Sequence, residues 1–346
     1  MTGAKFDALL FLSFGGPEKP ADVRPFLENV TRGRGVPAQR LDEVVEHYLH
    51  FGGVSPINRL NLDMIDALRA EFDRRGRTDL PIYFGNRNWH PLIGDVVGGL
   101  HRDGHRRILV FPTSAWGGYS GCRQYHEDVA GAWRDVGAED LVMRKLPQFS
   151  TEPGFVRAAA TVLDRTLAEF GRDARVVFTA HSVPEAADRA AGPAAGEGRL
   201  YSRQVRAAAE SVAAACGVAD FDVVWQSRSG PPQVPWLEPD VCDHLGALAG
   251  RGVQRVAVMP IGFISDHLEV VWDLDTEARE VAERLGMAYT RVPTVGTEPE
   301  FIEMVADLVD RYVDGDGDLS AMGCGDNGSP CRPDCCVPAR RPVTAD

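Results

Sequence analysis

Lysine is almost missing from this chain of 346 residues: Lys5, Lys19 and Lys145 are the whole supply, and arginine carries nearly all the positive charge. That bias reads as a GC-rich coding sequence rather than as function. Positive charge is also in deficit overall, with a formal net charge of −13. This balance argues against a nucleic-acid partner, because binding phosphates requires a basic face. The surplus of acid suits a protein that collects a cation, or one that is simply kept soluble by its charge. No apolar stretch approaches twenty residues, so no segment is expected to span a bilayer. The opening MTGAKFDALLFLSFGG looks like a signal peptide only superficially: Asp7 interrupts its apolar part, and it ends in Gly-Gly-Pro without a small-residue cleavage site. It reads as a buried first strand entering a glycine turn. No strand is followed by a Gly-x-Gly-x-x-Gly turn, which argues against a dinucleotide-dependent dehydrogenase. The expected compartment is therefore the cytoplasm, where cysteines serve as metal ligands more readily than as disulfides.

What is present is ordinary for a globular protein, 44% hydrophobic and 25% charged, and long enough for two compact domains. Short apolar or β-branched runs alternate with stretches of helical period. Strands are expected at 8–13, 82–85, 107–111, 141–145, 175–180, 222–226, 255–260 and 288–292. Helices are expected at 58–75, 91–102, 125–136, 153–170, 199–215, 239–248, 268–285 and 299–313. Such alternation predicts an α/β protein with parallel sheets flanked by helices. The strands divide four and four near residue 150, which suggests two Rossmann-like halves, residues 1–150 and 151–313, and a monomer is expected. No letter-by-letter repeat links them. Residues 314–346 carry neither period, and form an irregular tail rich in Gly, Pro and Cys that needs a ligand to be ordered.

In open α/β sheets ligands sit beyond the carboxyl ends of the strands, so the loops after strands hold the candidate chemistry. Four of them are distinctive: Ser13-Phe14-Gly15-Gly16-Pro17, Ala180-His181-Ser182-Val183-Pro184, residues 225–231, and residues 260–269 ending Ser265-Asp266-His267-Leu268-Glu269. Alone, each has a structural reading: a turn closed by glycine, a histidine capping the next element, a proline stopping a strand. Read as a helix, the following stretch places Glu269, Asp273 and Glu277 at four-residue intervals on one face. That face is either a solvated acidic surface or a ladder passing a divalent cation, with Asp266 and His267 as further donors at its start.

The combination resembles a known family. Residues 178–184, Phe-Thr-Ala-His-Ser-Val-Pro, resemble the ferrochelatase signature around its catalytic histidine, and residues 260–269 are similar to that family's second motif, which holds its catalytic glutamate. Residues 12–17, 51–56, 83–91 and 226–239 match in the same order, so the resemblance runs from about residue 6 to about residue 313. It implies two chelatase-type halves with the macrocycle in the cleft between them, and an enzyme that inserts Fe²⁺ into a free-base porphyrin during haem synthesis. Coproporphyrin III is favoured over protoporphyrin IX. His181 would be the base and Glu269 the metal ligand or proton acceptor, with Asp273 and Glu277 an acidic path. Phe14, Ser55 and Tyr125 would contact the macrocycle, and Arg32, with Arg34, its carboxylates. Where some members have a tyrosine, Phe14 offers no oxygen to the metal.

Some members carry a [2Fe–2S] cluster on three C-terminal cysteines and one internal cysteine. The resemblance places Cys122, Cys324, Cys331 and Cys336 in those roles, with Cys335 the spare neighbour, although Cys335 could stand in for Cys336. A zinc site built from the four tail cysteines is the alternative. Two rival functions remain open at this point: a cobalt or nickel chelatase acting on a sirohydrochlorin-type ring, and a haem or porphyrin carrier without turnover.

Overall fold

The computed structural model describes residues 5–33, 36–230, 233–314 and 334–338. Two four-stranded sheets, every strand parallel, form the body. In the first, β1 (Ala8–Ser13) lies between β2 (Ile82–Asn86) and β3 (Arg107–Pro112), with β4 (Val142–Lys145) outside β3. In the second, β5 (Arg175–His181) lies between β6 (Phe221–Gln226) and β7 (Arg255–Met259), with β8 (Ala288–Arg291) outside β7. The two strand orders are the same, so the duplication that no letter repeat records is visible in topology.

The helices follow the chain as α1 (Val23–Val30), α2 (Ala38–His50), α3 (Ile57–Arg74), α4 (Ile93–Arg102), α5 (Gln124–Val136) and α6 (Pro153–Phe170). Then come α7 (Glu185–Arg189), α8 (Leu200–Ala215), α9 (Val241–Gly250), α10 (Leu268–Val270), α11 (Arg279–Arg284) and α12 (Pro299–Tyr312). Proline at the first helical position starts α6 and α12, where its missing N–H costs nothing. Among the described residues no helix is long and apolar enough to cross a membrane.

Strand β1, ALLFLS, is buried along its whole length, as expected where helices cover both faces. Its alternation sorts the core. Leu9 and Phe11 face one side with Leu109 and Phe111, while Ala8, Leu10 and Leu12 face the other and pack on Val97, Leu100 and Val129 from α4 and α5. In the second sheet Val176 and Phe178 join the same core as Leu9 and Phe11, together with residues of α3, α6, α8 and α12. Val177 and Val258 look outward onto α9 and Leu274. One continuous core therefore unites the halves. Helix α12 returns to the first half: Arg75 after α3 bonds Asp307 and Asp310 at 2.7 and 2.9 Å, and the Phe6 N–H donates to the Val313 carbonyl at 2.8 Å.

Three differences from the expected elements bear on function. Helices α1 and α2 were not anticipated. Only Tyr48 of α2 is fully buried, but Leu41, Val44 and Val45 line the same face, and with α1 the helix builds a cover of Val23, Phe26, Leu27 and Tyr48 against Leu268. The expected helix at 268–285 exists, but Val271–Ala278 within it has π geometry, as does Tyr119–Arg123 ahead of α5. Such widened turns occur often at functional sites.

Phe155, 1% exposed, meets Trp116, Phe149 and Phe301 edge-on with ring centroids 5.9, 5.7 and 6.4 Å away. Phe155→Ala empties the centre of the shared core and is expected to cost about 3–5 kcal/mol, read as a lower denaturant midpoint.

Candidate active site

In both sheets the strand order reverses on either side of the first strand, so the loops after β1 and β3, and after β5 and β7, diverge and leave a crevice. His181 ends β5, with Gln226 at the end of β6 as its register partner. The loop after β7 reaches His181 because Gly262 has no side chain: a Cβ there would lie 2.6 Å from both Cα and Cβ of Ala180. The Gly262 N–H donates to the Thr179 carbonyl, and its own carbonyl accepts from Trp116 Nε1 at 2.8 Å, which ties the loop to the first half. Ser265 Oγ adds a second tie to Asn61 Oδ1 at 3.3 Å.

This brings Glu269 Oε2 to 3.7 Å from His181 Nε2. His181 Nδ1 lies 2.5 Å from the Ser182 carbonyl, which can only accept, so Nδ1 carries the hydrogen and Nε2 faces Glu269. Burial alone would lower the imidazole pKa, but the Glu269 carboxylate and the Ser182 carbonyl outweigh it and raise the pKa above the usual 6.5. About a third of each side chain remains accessible (33% and 39%). The pair is therefore a proton acceptor beside an oxygen donor, open to the crevice.

Asp273 follows on the π segment. Ser227 Oγ and Gln226 Nε2 donate to it. Burial pushes its carboxyl up to about 7; the Ser227 bond opposes this, and the nearby carboxylates of Glu269 and Glu277 add to it. Glu269 borders the crevice, Asp273 is enclosed on the π segment and Glu277 is exposed. Among the described residues no group of three or more His, Cys, Asp and Glu side chains converges on one metal position.

Two expected donors are engaged elsewhere. Arg291 holds Asp266 in a two-pronged ion pair at 3.0 and 3.0 Å and reaches Asp275 at 2.9 Å. Asp266 is therefore bound to a cation of the protein itself. His267 caps α10, its Nδ1 accepting from the Val270 N–H at 3.4 Å, and burial lowers its pKa.

Across the crevice, Phe14 is half-buried and meets Phe26 edge-on at 6.2 Å. Tyr125 opens α5, 4% exposed, with its hydroxyl 3.3 Å from Thr113 Oγ1. Arg87, which composition alone did not single out, joins these two: its guanidinium lies 4.3 Å from the Tyr125 ring centre and 5.9 Å from that of Phe14, and it pairs with Asp128. It sits inside the 83–91 segment, which was noted as a motif without a role. Ser55 is buried beneath Gly16, its N–H donating to the Pro17 carbonyl at 2.8 Å. Arg32 is exposed on the turn after α1, and Arg34 lies outside the described residues. A further contact was not foreseen at all: His47 of α2 stacks on Trp272 of the π segment, 3.9 Å apart and 8° from parallel, so the cover rests on the acidic helix.

Three of the described cysteines gather at the loop after β3. Cys122, 1% exposed, lies in the Tyr119–Arg123 π turn, and its N–H donates to the Gly118 carbonyl at 3.1 Å. Cys335 and Cys336 are buried with sulfurs 3.6 Å apart. The Gly118 and Gly192 N–H groups both donate to Cys336 Sγ, at 3.3 and 3.2 Å. Cys324 and Cys331 lie outside the described residues.

A family model described as ferrochelatase matches residues 6–313. The coproporphyrin III ferrochelatase of Nocardia farcinica is 58% identical, over 98% of this chain and 99% of its own. That of Mycolicibacterium smegmatis is 55% identical, over 95% and 99%. Among solved structures, the cobalt complex of the sirohydrochlorin chelatase SirB from Bacillus subtilis subspecies spizizenii superposes with a TM-score of 0.51 at 12% identity, covering 89% of this chain and 95% of that one, a likeness of fold alone. With the motif loops meeting at one crevice and relatives matched end to end, this chain belongs to the ferrochelatase family.

Proposed function

We propose that this enzyme inserts Fe²⁺ into coproporphyrin III, with His181 as the base and Glu269 as its partner across the metal's entry position. The observation that carries the reading is the separation of 3.7 Å between His181 Nε2 and Glu269 Oε2 at the crevice where the two sheets open. Metalation removes two pyrrole protons as the ion enters. His181 Nε2 takes one, its Nδ1–H anchored on the Ser182 carbonyl so that the ring cannot turn away. Its raised pKa brings it toward the operating pH, where a general base works best. Glu269 offers an oxygen to the ion or accepts the second proton. Asp273, titrating at about 7, then exchanges protons with little driving force in either direction. Iron reaches the pair along Glu277 and Asp273 and is a substrate, not a resident.

The flat macrocycle must bend before its nitrogens can accept a metal. Strain of this kind, on the order of 1–5 kcal/mol, comes from binding energy elsewhere on the substrate. Phe14, Ser55 and Tyr125 would form the wall, with Arg87 holding the two rings, and Arg32 would meet a propionate at the rim. Four propionates rather than two give the rim more to hold, and the relatives named for coproporphyrin III support that substrate. The same reading has the chain acting as a monomer in the cytoplasm.

We further propose a [2Fe–2S] cluster on Cys122, Cys324, Cys331 and Cys336. What supports it is the donor chemistry at the two of these that are described. Gly118 touches both, accepting from the Cys122 N–H and donating to Cys336 Sγ. The adjacent Cys335 thiol and burial push the Cys336 thiol pKa up, so ionising it there calls for a cation such as a metal centre. When bound, the cluster would supply a redox-active, acid-labile iron centre away from the crevice.

Three outcomes are expected. His181→Ala retains porphyrin binding, followed by fluorescence quenching, and loses at least a hundredfold in iron insertion; insertion at the wild-type rate would remove His181 from the mechanism. Initial rates with both porphyrins favour coproporphyrin III, and equal or better rates with protoporphyrin IX would reverse the substrate assignment. Protein purified without oxygen is coloured and carries about two irons and two acid-labile sulfides per chain; a colourless protein containing zinc would replace the cluster with a zinc site.

A further inference from the structure

Helix α3 turns one face to the core through Ile57, Met64, Ile65, Leu68 and Phe72, yet Asn58 and Asn61 lie buried on that same face. Asparagine is a poorer helix former than leucine or methionine, and a buried amide is costly unless its hydrogen bonds are made. An apolar side chain at position 61 would suit the core better, so the amide there is accounted for by its partners. Asn61 Nδ2 donates to Ser13 Oγ at 2.6 Å, and Asn61 Oδ1 accepts from Ser265 Oγ at 3.3 Å. Both serines are buried as well.

The two serines belong to different halves of the molecule and to two of the loops that build the crevice. Ser13 ends β1 and precedes Phe14, and its carbonyl accepts the Arg87 N–H at 2.9 Å. Ser265 lies in the loop after β7, four positions before Glu269, and the adjacent Ile264 carbonyl accepts the Gly296 N–H at 2.9 Å. One amide therefore spans from the aromatic wall to the loop that carries the metal-facing carboxylate. Asn58 provides the contrast. Its Nδ2 donates to the Gly16 carbonyl at 3.2 Å and to Glu18 Oε1 at 3.0 Å, and its Oδ1 accepts from Asn86 Nδ2 at 3.2 Å, all within the first half. The wall thus has its own fixing, and Asn61 is what couples it to the loop after β7. Nearer to β7 that loop is also pinned at Gly262 by Trp116 Nε1, at 2.8 Å.

We propose that Asn61 is a positioning residue for metal insertion: through Ser13 and Ser265 it fixes the gap between the wall that holds the porphyrin and the His181–Glu269 pair that meets the ion. This deepens the functional reading above and rests on it. A hydroxyl–amide–hydroxyl relay has a set length, and misplacing reacting groups by about 1 Å costs on the order of a hundredfold in rate. Loosening the relay lowers turnover while the porphyrin keeps its own contacts.

The experiment measures iron insertion and porphyrin binding for the wild type, Ser13→Ala, Ser265→Ala, the double variant of both serines, and Asn61→Leu. Each serine variant is expected to lose about tenfold in kcat, while the porphyrin Kd from fluorescence quenching moves by less than about twofold. Because both serines act through one amide, the double variant is expected to fall about tenfold and not the roughly hundredfold that independent effects would give. Asn61→Leu, an apolar change of similar size, is expected to match the double variant; circular dichroism checks its fold, and the serine variants decide the outcome whether or not it folds. Single effects that multiply in the double variant overturn the relay. So does Ser265→Ala with the wild-type kcat, or a weakened Kd that accounts for the whole loss. His181→Ala inserting iron at the wild-type rate would instead remove the base from the underlying reading, a failure distinct from these.

Discussion

In a parallel sheet every strand leaves by the same edge, and at the strand where the order reverses the loops on either side must diverge. Two such sheets share one core here, each with its first strand at the reversal. That constraint places the loops after β1, β5 and β7 around a common gap. It brings His181 and Glu269, which are 88 positions apart in sequence, within 3.7 Å. The absence of a side chain at Gly262 completes the approach, since the loop carrying Glu269 lies directly on the end of β5. The position of the pair is thus set by the backbone.

The acidic segment shows how the local environment divides similar groups. Glu277 is in water. Asp273 is enclosed and its carboxyl titrates at about 7, because burial and two neighbouring carboxylates outweigh one hydroxyl donor. Asp266, only three positions before Glu269, is held in a two-pronged pair by Arg291. Carboxylates close together along one stretch of chain therefore have different fates. What separates them is which residues of β6, β8 and α2 happen to lie opposite.

Much of the architecture was legible in the residues. All eight strands were anticipated to within a residue or two, because runs such as ALLFLS and RVVFTA are apolar on both faces and bounded by glycine, proline or charge. The helices that pack on the sheets were legible for the same reason. Helices α1 and α2 were not, although Val23, Phe26, Leu27 and Val30, and Leu41, Val44, Val45 and Tyr48, recur at helical spacing; both cover an aromatic rim outside the alternation of strand and helix. The π turns were not either: widening a helix by one residue per turn leaves no signature in composition. Asp266 and His267 looked like metal donors because a motif states residue types and spacing, while their actual partners, Arg291 and the Val270 amide, come from the fold. The stack of His47 on Trp272 joins residues too far apart in sequence for any periodicity to connect them.

The bond from the Phe6 amide to the Val313 carbonyl joins the entry to the first strand with the exit from the last helix. With Arg75 clamped to α12, the back of the molecule is closed into a ring, although the chain is linear. At the front, α1 and α2 meet the acidic helix through side-chain packing instead: His47, His50 and Phe51 against Trp272, and Val23, Phe26, Leu27 and Tyr48 against Leu268. The rear seam is thus held by backbone and ion-pair bonds, and the front by aromatic and aliphatic contacts.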